Sequence, residues 1–192
     1  MKKEILIVFG ITILILCISF SGCNEESSSK KPVSQLMDNF AITLDDLPYG
    51  YYKINEDFND TLYTASFVYQ SLPLFGNDIG YPFVMLSIIK FNSINDSIIY
   101  YQYTTQLNIT GVNITTLQDI ERIGDESKFQ LYQGEPEHHS IENRSNYQLK
   151  IRIKNFFVAF NIWGYTDTEI DYISFTINLA KIVEDRIYTN LE

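Results

Sequence analysis

The sequence predicts an α+β fold, an antiparallel β-sheet covered by helices and closed by a long C-terminal helix. Three observations predict it. Tyr147–Lys154 alternates strictly, with Tyr147, Leu149, Ile151 and Ile153 on one face and Gln148, Lys150, Arg152 and Lys154 on the other. The stretch from Thr166 onward repeats its apolar residues at helical spacing. Between them lie strand-like runs joined by short turn clusters, with a helical segment inserted, the pattern of helices added to an antiparallel sheet.

Residues 1–22 differ in kind from the rest. Lys2 and Lys3 precede a nearly continuous apolar run from Ile5 to Phe20, and the small residues Ser21 and Gly22 lead to Cys23. That run falls short of the roughly 20 residues a spanning helix needs, and the order of charge, apolar run and small residues is that of a secretory signal. The stretch Ile18-Ser19-Phe20-Ser21-Gly22-Cys23 resembles the lipobox of prokaryotic lipoproteins. The resemblance implies cleavage before Cys23 and lipidation of that residue, with Phe20 standing where the family usually carries a leucine-like residue. The competing reading is an uncleaved N-terminal helix. Residues 23–35 then form a polar, Ser-rich tether, and residues 36–192 a single extracytoplasmic domain. Cys17 lies inside the signal, so the mature domain has no disulfide and no thiolate chemistry beyond Cys23.

Along the domain, Leu47-Pro48-Tyr49-Gly50-Tyr51 marks a turn into a first strand over residues 51–55. Residues 62–72 form a second strand, broken by Pro73 and Gly76-Asn77-Asp78. Residues 83–91 form a third, apolar enough to suggest burial on both faces. Ser93 with Asp96 forms a capping box for a helix ending near Leu107. Residues 114–123 and 129–133 are shorter strand candidates, split by Gly124-Asp125-Glu126. Lys154-Asn155 makes a tight turn between the alternating strand and residues 156–163, giving a hairpin. Thr166 with Glu169 caps the last helix, whose polar stripe is Asp171, Ser174, Asn178, Lys181 and Asp185 opposite Ile173, Ile177, Ala180 and Ile187. The turn at residues 47–51, the strand-to-helix passage after Phe83, Ile123-Gly124-Asp125-Glu126-Ser127, the hairpin and the terminal helix together resemble small exported proteins of the PsbP/Mog1-like sort. The resemblance implies a sheet between helices and roles in binding or assembly.

The net charge of −10 and pI near 4.6 disfavour nucleic acid and anionic lipid surfaces as partners. Glu135-Pro136-Glu137-His138-His139-Ser140-Ile141-Glu142 gathers both histidines beside carboxylates, so His138, His139, Glu135 and Glu142 are the metal candidates. A solvated loop tip competes with that reading, because no third histidine stands at a ligand spacing. Asp119, Glu121, Asp125 and Glu126 offer a calcium site without the spacing of a calcium loop. Lys150, Arg152 and Lys154 suggest an anion or partner site, or a solvated face, or an edge strand protected by charge. Tyr49, Tyr51, Tyr52, Tyr81 and Trp163 fall near strand ends, where aromatic rings suit sugar stacking but serve packing more often. Asn59, Asn95, Asn108, Asn113 and Asn143 sit in Asn-x-Ser/Thr sequons, acceptors for glycans in an exported chain. No phosphate-binding or nucleophile-elbow motif is present.

Together these residues point to a lipid-anchored domain facing outward, acting as a non-catalytic binding or accessory module of the cell envelope. Its partners would be the membrane through the lipid and an envelope protein or small ligand, with no nucleic acid and no cofactor. The alternative is an extracytoplasmic hydrolase or metal-dependent enzyme using residues 135–142.

Overall fold

Seven strands hydrogen-bond into one antiparallel sheet, in the order β1-β2-β3-β7-β6-β5-β4. The computed structural model describes residues 33–69, 82–106, 112–134, 144–165 and 171–191. The strands are β1 (Tyr51–Phe58), β2 (Leu62–Tyr69), β3 (Phe83–Lys90), β4 (Val112–Thr116), β5 (Glu126–Gly134), β6 (Arg144–Ile153) and β7 (Phe156–Tyr165). The helices are α1 (Val33–Phe40), α2 (Ile94–Thr105) and α3 (Tyr172–Leu191), with a short 3-10 turn at Leu44–Asp46. After β3 the chain crosses through α2 to the far edge, then returns strand by strand until β7 pairs with β3.

The expected architecture, a sheet covered by helices, is corrected here. The sheet dominates, and the helices lie on parts of it. On one face α3 packs against β6 and β7, and α1 packs on α3 and β2. On the other face α2 lies chiefly against β6 and β7, with Lys128 of β5 reaching its last turn. The outer strand β1 meets α3 through a ring contact, Phe175 stacking on Tyr51 with centroids 6.1 Å apart. The physical reason is width: strands repeat about every 4.8 Å, while a helix with its side chains is about 10 Å across, so seven strands outrun what these helices can shield.

The core lies between the sheet and the α1/α3 pair. Alternate residues of the central strands point there: Tyr63, Ala65 and Phe67; Val84, Leu86 and Ile88; Leu149, Ile151 and Ile153; Phe156, Val158, Phe160 and Ile162. They meet Met37 and Phe40 of α1 and Leu179, Ala180, Val183 and Ile187 of α3. Phe40 and Phe156 meet edge to face, centroids 5.3 Å apart. Burying each such side chain contributes about 1.5–3 kcal/mol, so this layer is the main source of stability in a fold without disulfides.

Several elements differ in detail from expectation. β3 alternates between buried and half-buried residues, so it is not buried equally on both faces. The region expected as a strand over residues 114–123 is a strand only to Thr116, and then runs irregularly to Gly124. Leu117 still pairs with Phe129, its N–H donating to the Phe129 carbonyl at 3.0 Å. α3 begins at Tyr172, where Asp171 Oδ1 accepts from the N–H groups of Ile173 and Ser174, both at 3.1 Å. Asp171, placed in the polar stripe by its spacing, is therefore the N-terminal cap; Thr166 and Glu169 lie outside the described residues. β6 is an interior strand, so its basic row does not guard an edge. The Ser93 cap of α2 is present, its Oγ accepting from Asp96 N–H at 3.1 Å.

Candidate functional site: an amide and aromatic shelf beside the end of α2

The site is built by strand register. Directly paired residues of neighbouring strands project from the same face, so each register line is a row across the sheet. Opposite the core, one row runs Glu126, Arg152, Phe157, Ile89 and Leu62, and the next Lys128, Lys150, Ala159, Ser87 and Thr64. A third runs Gln130, Gln148, Asn161, Met85 and Ser66, and a fourth Tyr132, Asn146, Trp163, Phe83 and Val68.

α2 lies over the first of these. Tyr100 stacks edge-on against Phe157, centroids 4.9 Å apart, and Ser97 Oγ lies 2.8 Å from the Lys154 carbonyl. Beneath it Arg152 is buried, with Nε donating to Glu126 at 2.8 Å and Nη1 to Asp125 at 3.0 Å. Asp125 also accepts from the Lys154 N–H at 2.6 Å, which holds the hairpin turn. The acids considered for calcium are thus engaged otherwise: Asp125 and Glu126 by Arg152, and Glu121 by Lys181 at 2.6 Å. Burial first, then the charge of Glu126, lifts the Tyr101 hydroxyl to about 12.

α2 ends at the second row. Lys150 donates to the Thr104 carbonyl at 2.9 Å and Lys128 to the Thr105 carbonyl at 2.7 Å. Two paired lysines would repel across strands, but here both meet the open carbonyls at the negative end of a helix. Lys150 also donates to Tyr132 OH at 3.2 Å and reaches Gln130 Oε1 at 3.5 Å, while Tyr132 OH donates to Gln130 Oε1 at 3.1 Å. Burial, then the neighbouring Lys128 charge, lowers the Lys150 pKa from its ordinary value. Of the basic row expected from sequence, Lys150 thus caps the helix and Arg152 is ion-paired, while Lys154 is exposed.

The third and fourth rows continue past the last residue of α2 and form a shelf. It holds the half-buried amides of Gln148, Asn161 and Asn146 and the half-buried rings of Phe83 and Trp163, beside Gln130 and Tyr132, which are buried. The two rings meet edge to face, centroids 5.1 Å apart at 67°. Between Tyr132 and Trp163, Asn146 Oδ1 is buried and has no hydrogen-bond partner. Such an atom costs about 1–3 kcal/mol when left unmade. Among the described residues, these two rows hold no carboxylate, imidazole or thiol; their hydroxyls are those of Tyr132, bonded to Gln130 and Lys150, and Ser66. Hydrogen bonding and ring stacking are what the shelf offers. A second orphan, Ser145 Oγ, belongs to the core-side face.

Of the candidates read from sequence, Cys23, Glu135, His138, His139, Glu142, Asn108, Asn143 and Tyr81 lie outside the described residues. Among the described residues, no group of His, Cys, Asp or Glu is arranged to hold a metal, and no helix is long and apolar enough to cross a membrane. Asn59, Asn95 and Asn113 are exposed; the Asn59 side chain accepts from the N–H groups of Thr61 and Leu62, both at 2.9 Å. Tyr49 is fully exposed and Tyr52 is 46% exposed, whereas Tyr51 is half-buried against Tyr69 and Phe175. Trp163, flagged by position, belongs to the shelf. Asn146, Gln130 and Asn161 drew no notice in the sequence; the signal that pointed toward them was the polar phase of the Tyr147–Lys154 alternation, which contains Gln148.

No family model matches the chain, and no curated protein matches it. The PsbP/Mog1-like resemblance thus finds no counterpart there. Among solved structures, the extracellular domain of PknH from Mycobacterium tuberculosis is similar at 12% identity and a TM-score of 0.46, over 67% of this chain and 64% of that one.

Proposed function

We propose that this chain is an outward-facing, membrane-tethered module that binds a ligand on the shelf without transforming it. The buried, unpartnered Asn146 Oδ1 between two aromatic residues carries the reading. A native fold tolerates an orphan acceptor most readily where something supplies the missing donor. The capped and ion-paired groups around α2 support a binding rather than a reacting role: Lys150 and Arg152 are held in structural bonds, and the shelf offers amides and rings. Tethering is supported by the signal-like run Ile5–Phe20 and the Gly22-Cys23 pair.

Trp163 is the chain's single tryptophan, so its emission reports on the shelf alone. Full-length protein in detergent, excited where tyrosine does not absorb, is titrated with a mixed panel of polar small molecules. A saturable shift lost in Asn146→Leu supports binding at the shelf. No shift with any member of the panel argues against it. For the tether, intact mass of membrane-extracted protein beside a Cys23→Ser variant should show a lipid-bearing species starting at residue 23, absent in the variant. An unprocessed chain in both forms would overturn lipidation.

A further inference from the structure

The turn between β1 and β2 consists of Asn59, Asp60 and Thr61, all three exposed. Asn59 closes it twice over. Its N–H donates to the Leu62 carbonyl at 2.8 Å. Its side-chain Oδ1 accepts from the N–H groups of Thr61 and Leu62, both at 2.9 Å, and from Thr61 Oγ1 at 3.1 Å. A carboxamide carries an acceptor oxygen on one arm and a donor NH2 on the other. Here three donors hold the oxygen in the loop, and among the described residues Nδ2 has no hydrogen-bond partner. Donors on Oδ1 draw electron density toward the oxygen, which makes a proton on Nδ2 easier to lose. The sequon Asn59-Asp60-Thr61 thus presents an open amide nitrogen beside the hydroxyl that completes the motif.

The other two described sequons lack this arrangement. In Asn95-Asp96-Ser97, Asn95 is exposed on the first turn of α2, but Ser97 is fully buried. Its Oγ lies 2.7 Å from the Ile94 carbonyl and 2.8 Å from the Lys154 carbonyl, so the folded domain hides the hydroxyl of that sequon. In Asn113-Ile114-Thr115 both polar residues are exposed, but all three lie in β4, paired with Gln133, Tyr132 and Leu131 of β5. An extended strand sets Thr115 about 6–7 Å beyond Asn113, and among the described residues no hydrogen bond joins the two. Only the turn brings amide and hydroxyl together.

Resting on the outward-facing role argued above, we propose that Asn59 is the attachment site of an N-linked glycan and that Asn95 stays bare. The co-reactant is a lipid-phosphate-linked oligosaccharide of the membrane, brought by a transferase on its outer face. Asn59 Nδ2 attacks the anomeric carbon of the sugar. A C–N bond forms there as the bond from that carbon to the phosphate oxygen breaks. The electron pair leaves on the phosphate, the Nδ2 proton passes to a base of the transferase, and nothing is oxidised or reduced. The product fits the turn as it stands, because the bonds that close it use Oδ1 and the backbone and leave Nδ2 outside.

The test uses full-length protein extracted with detergent from its native membranes. Tryptic cleavage after Lys53 and Lys90 isolates residues 54–90, whose one sequon is Asn59; cleavage after Arg122 isolates residues 91–122, which hold Asn95, Asn108 and Asn113. Intact mass reads the N-terminus, and peptide fragmentation places any added sugar. The expected result is a series of sugar masses on Asn59 and an unmodified Asn95. Asn59→Asp keeps the acceptor that closes the turn and removes Nδ2, while Thr61→Val removes the hydroxyl. Both should lose the added mass and remain folded, with urea midpoints near the parent's, and Thr61→Ser should keep it. An unmodified Asn59 in a chain that begins at Cys23 with lipid mass would overturn the glycan and leave the tether standing. An unmodified chain beginning at Met1 would overturn both. Sugar on residues 54–90 that survives in Asn59→Asp would place the attachment on another residue, and sugar on Asn95 would show that attachment ignores the folded geometry. Either result overturns the assignment.

Discussion

Gly124 shows how one residue sets the geometry from which the rest hangs. Its backbone lies in the left-handed region at φ +68°, and a Cβ there would meet the Arg152 carbonyl oxygen at 2.6 Å. Its N–H donates to Glu184 of α3 at 2.6 Å, and the next N–H, of Asp125, donates to that same Arg152 carbonyl at 2.9 Å. Gly124→Ala therefore combines an unfavourable φ with a clash against backbone that cannot rotate away. A loss of about 2–4 kcal/mol is expected, read as a lower urea midpoint. Lys154, at φ +53°, provides the contrast. It already bears the left-handed strain, so Lys154→Gly should relieve it and change stability by less than about 1 kcal/mol, set against the loss of its approach to the Tyr188 ring at 5.4 Å. Equal destabilisation by the two substitutions would refute the account. The sequence made Gly124 legible as a break between strands. Its contact with β6 was not legible, because that contact joins residues far apart in the chain.

At the scale of elements, the local patterns were readable and their surroundings were not. The hairpin of β6 and β7 and the Ser93 cap follow from alternation and from spacing, which are properties of neighbouring residues. The start of α3 was placed at the Thr166–Glu169 box with Asp171 in the polar stripe, whereas the helix begins at Tyr172 with Asp171 accepting from its first N–H groups, a choice only the fold decides. The helix α1 carried no pattern strong enough to notice, yet it seats Met37 and Phe40 in the core. What ties this end of the chain to α3 is Arg186, which donates to both oxygens of Asp46 at 2.9 and 2.8 Å and to the Ala41 carbonyl. Burial raises the Asp46 pKa, but the hydrogen bonds from Arg186 and Thr43 outweigh it, and the net value lies below the ordinary 3.8. A carboxyl depressed on folding contributes stability that is fully present above its unfolded pKa and is lost as pH falls through the folded one. The parent should thus lose more stability between pH 7 and pH ~2 than Asp46→Asn does, Asp titrating near 4 in unfolded chains. Urea midpoints at the two pH values measure the difference; parallel losses would show that the pair contributes nothing.

At the scale of the whole molecule, the sequence made the seven strands and two of the three described helices visible but not the sheet's order, and the order decides the function of each row. The basic residues of β6 looked like edge protection because nothing local tells that β5 and β7 flank them. The true edges are β1 and β4. β4 is five residues long, with its exposed positions at Asn113 and Thr115, which suits an edge that should stay unpaired. β1 is eight residues long and carries the exposed apolar side chains of Tyr52, Ile54 and Phe58, so its open backbone needs other protection. Two devices are present. The register slips between Lys53 and Asn55, kinking the strand, and charge lines it, with Lys53 paired to Glu56 at 2.6 Å and Asp57 exposed. The net charge of −10 adds a general repulsion between copies. Replacing Lys53 and Asp57 together by Val removes both local charges while keeping Glu56, whose carboxylate accepts from Tyr63 OH at 2.7 Å. The double variant should self-associate through β1, its weight-average mass in sedimentation rising with concentration more steeply than the parent's. Added salt should steepen the rise further, because screening removes the remaining repulsion between acidic copies. A variant that sediments as the parent does at every concentration and salt would show that the kink alone guards this edge.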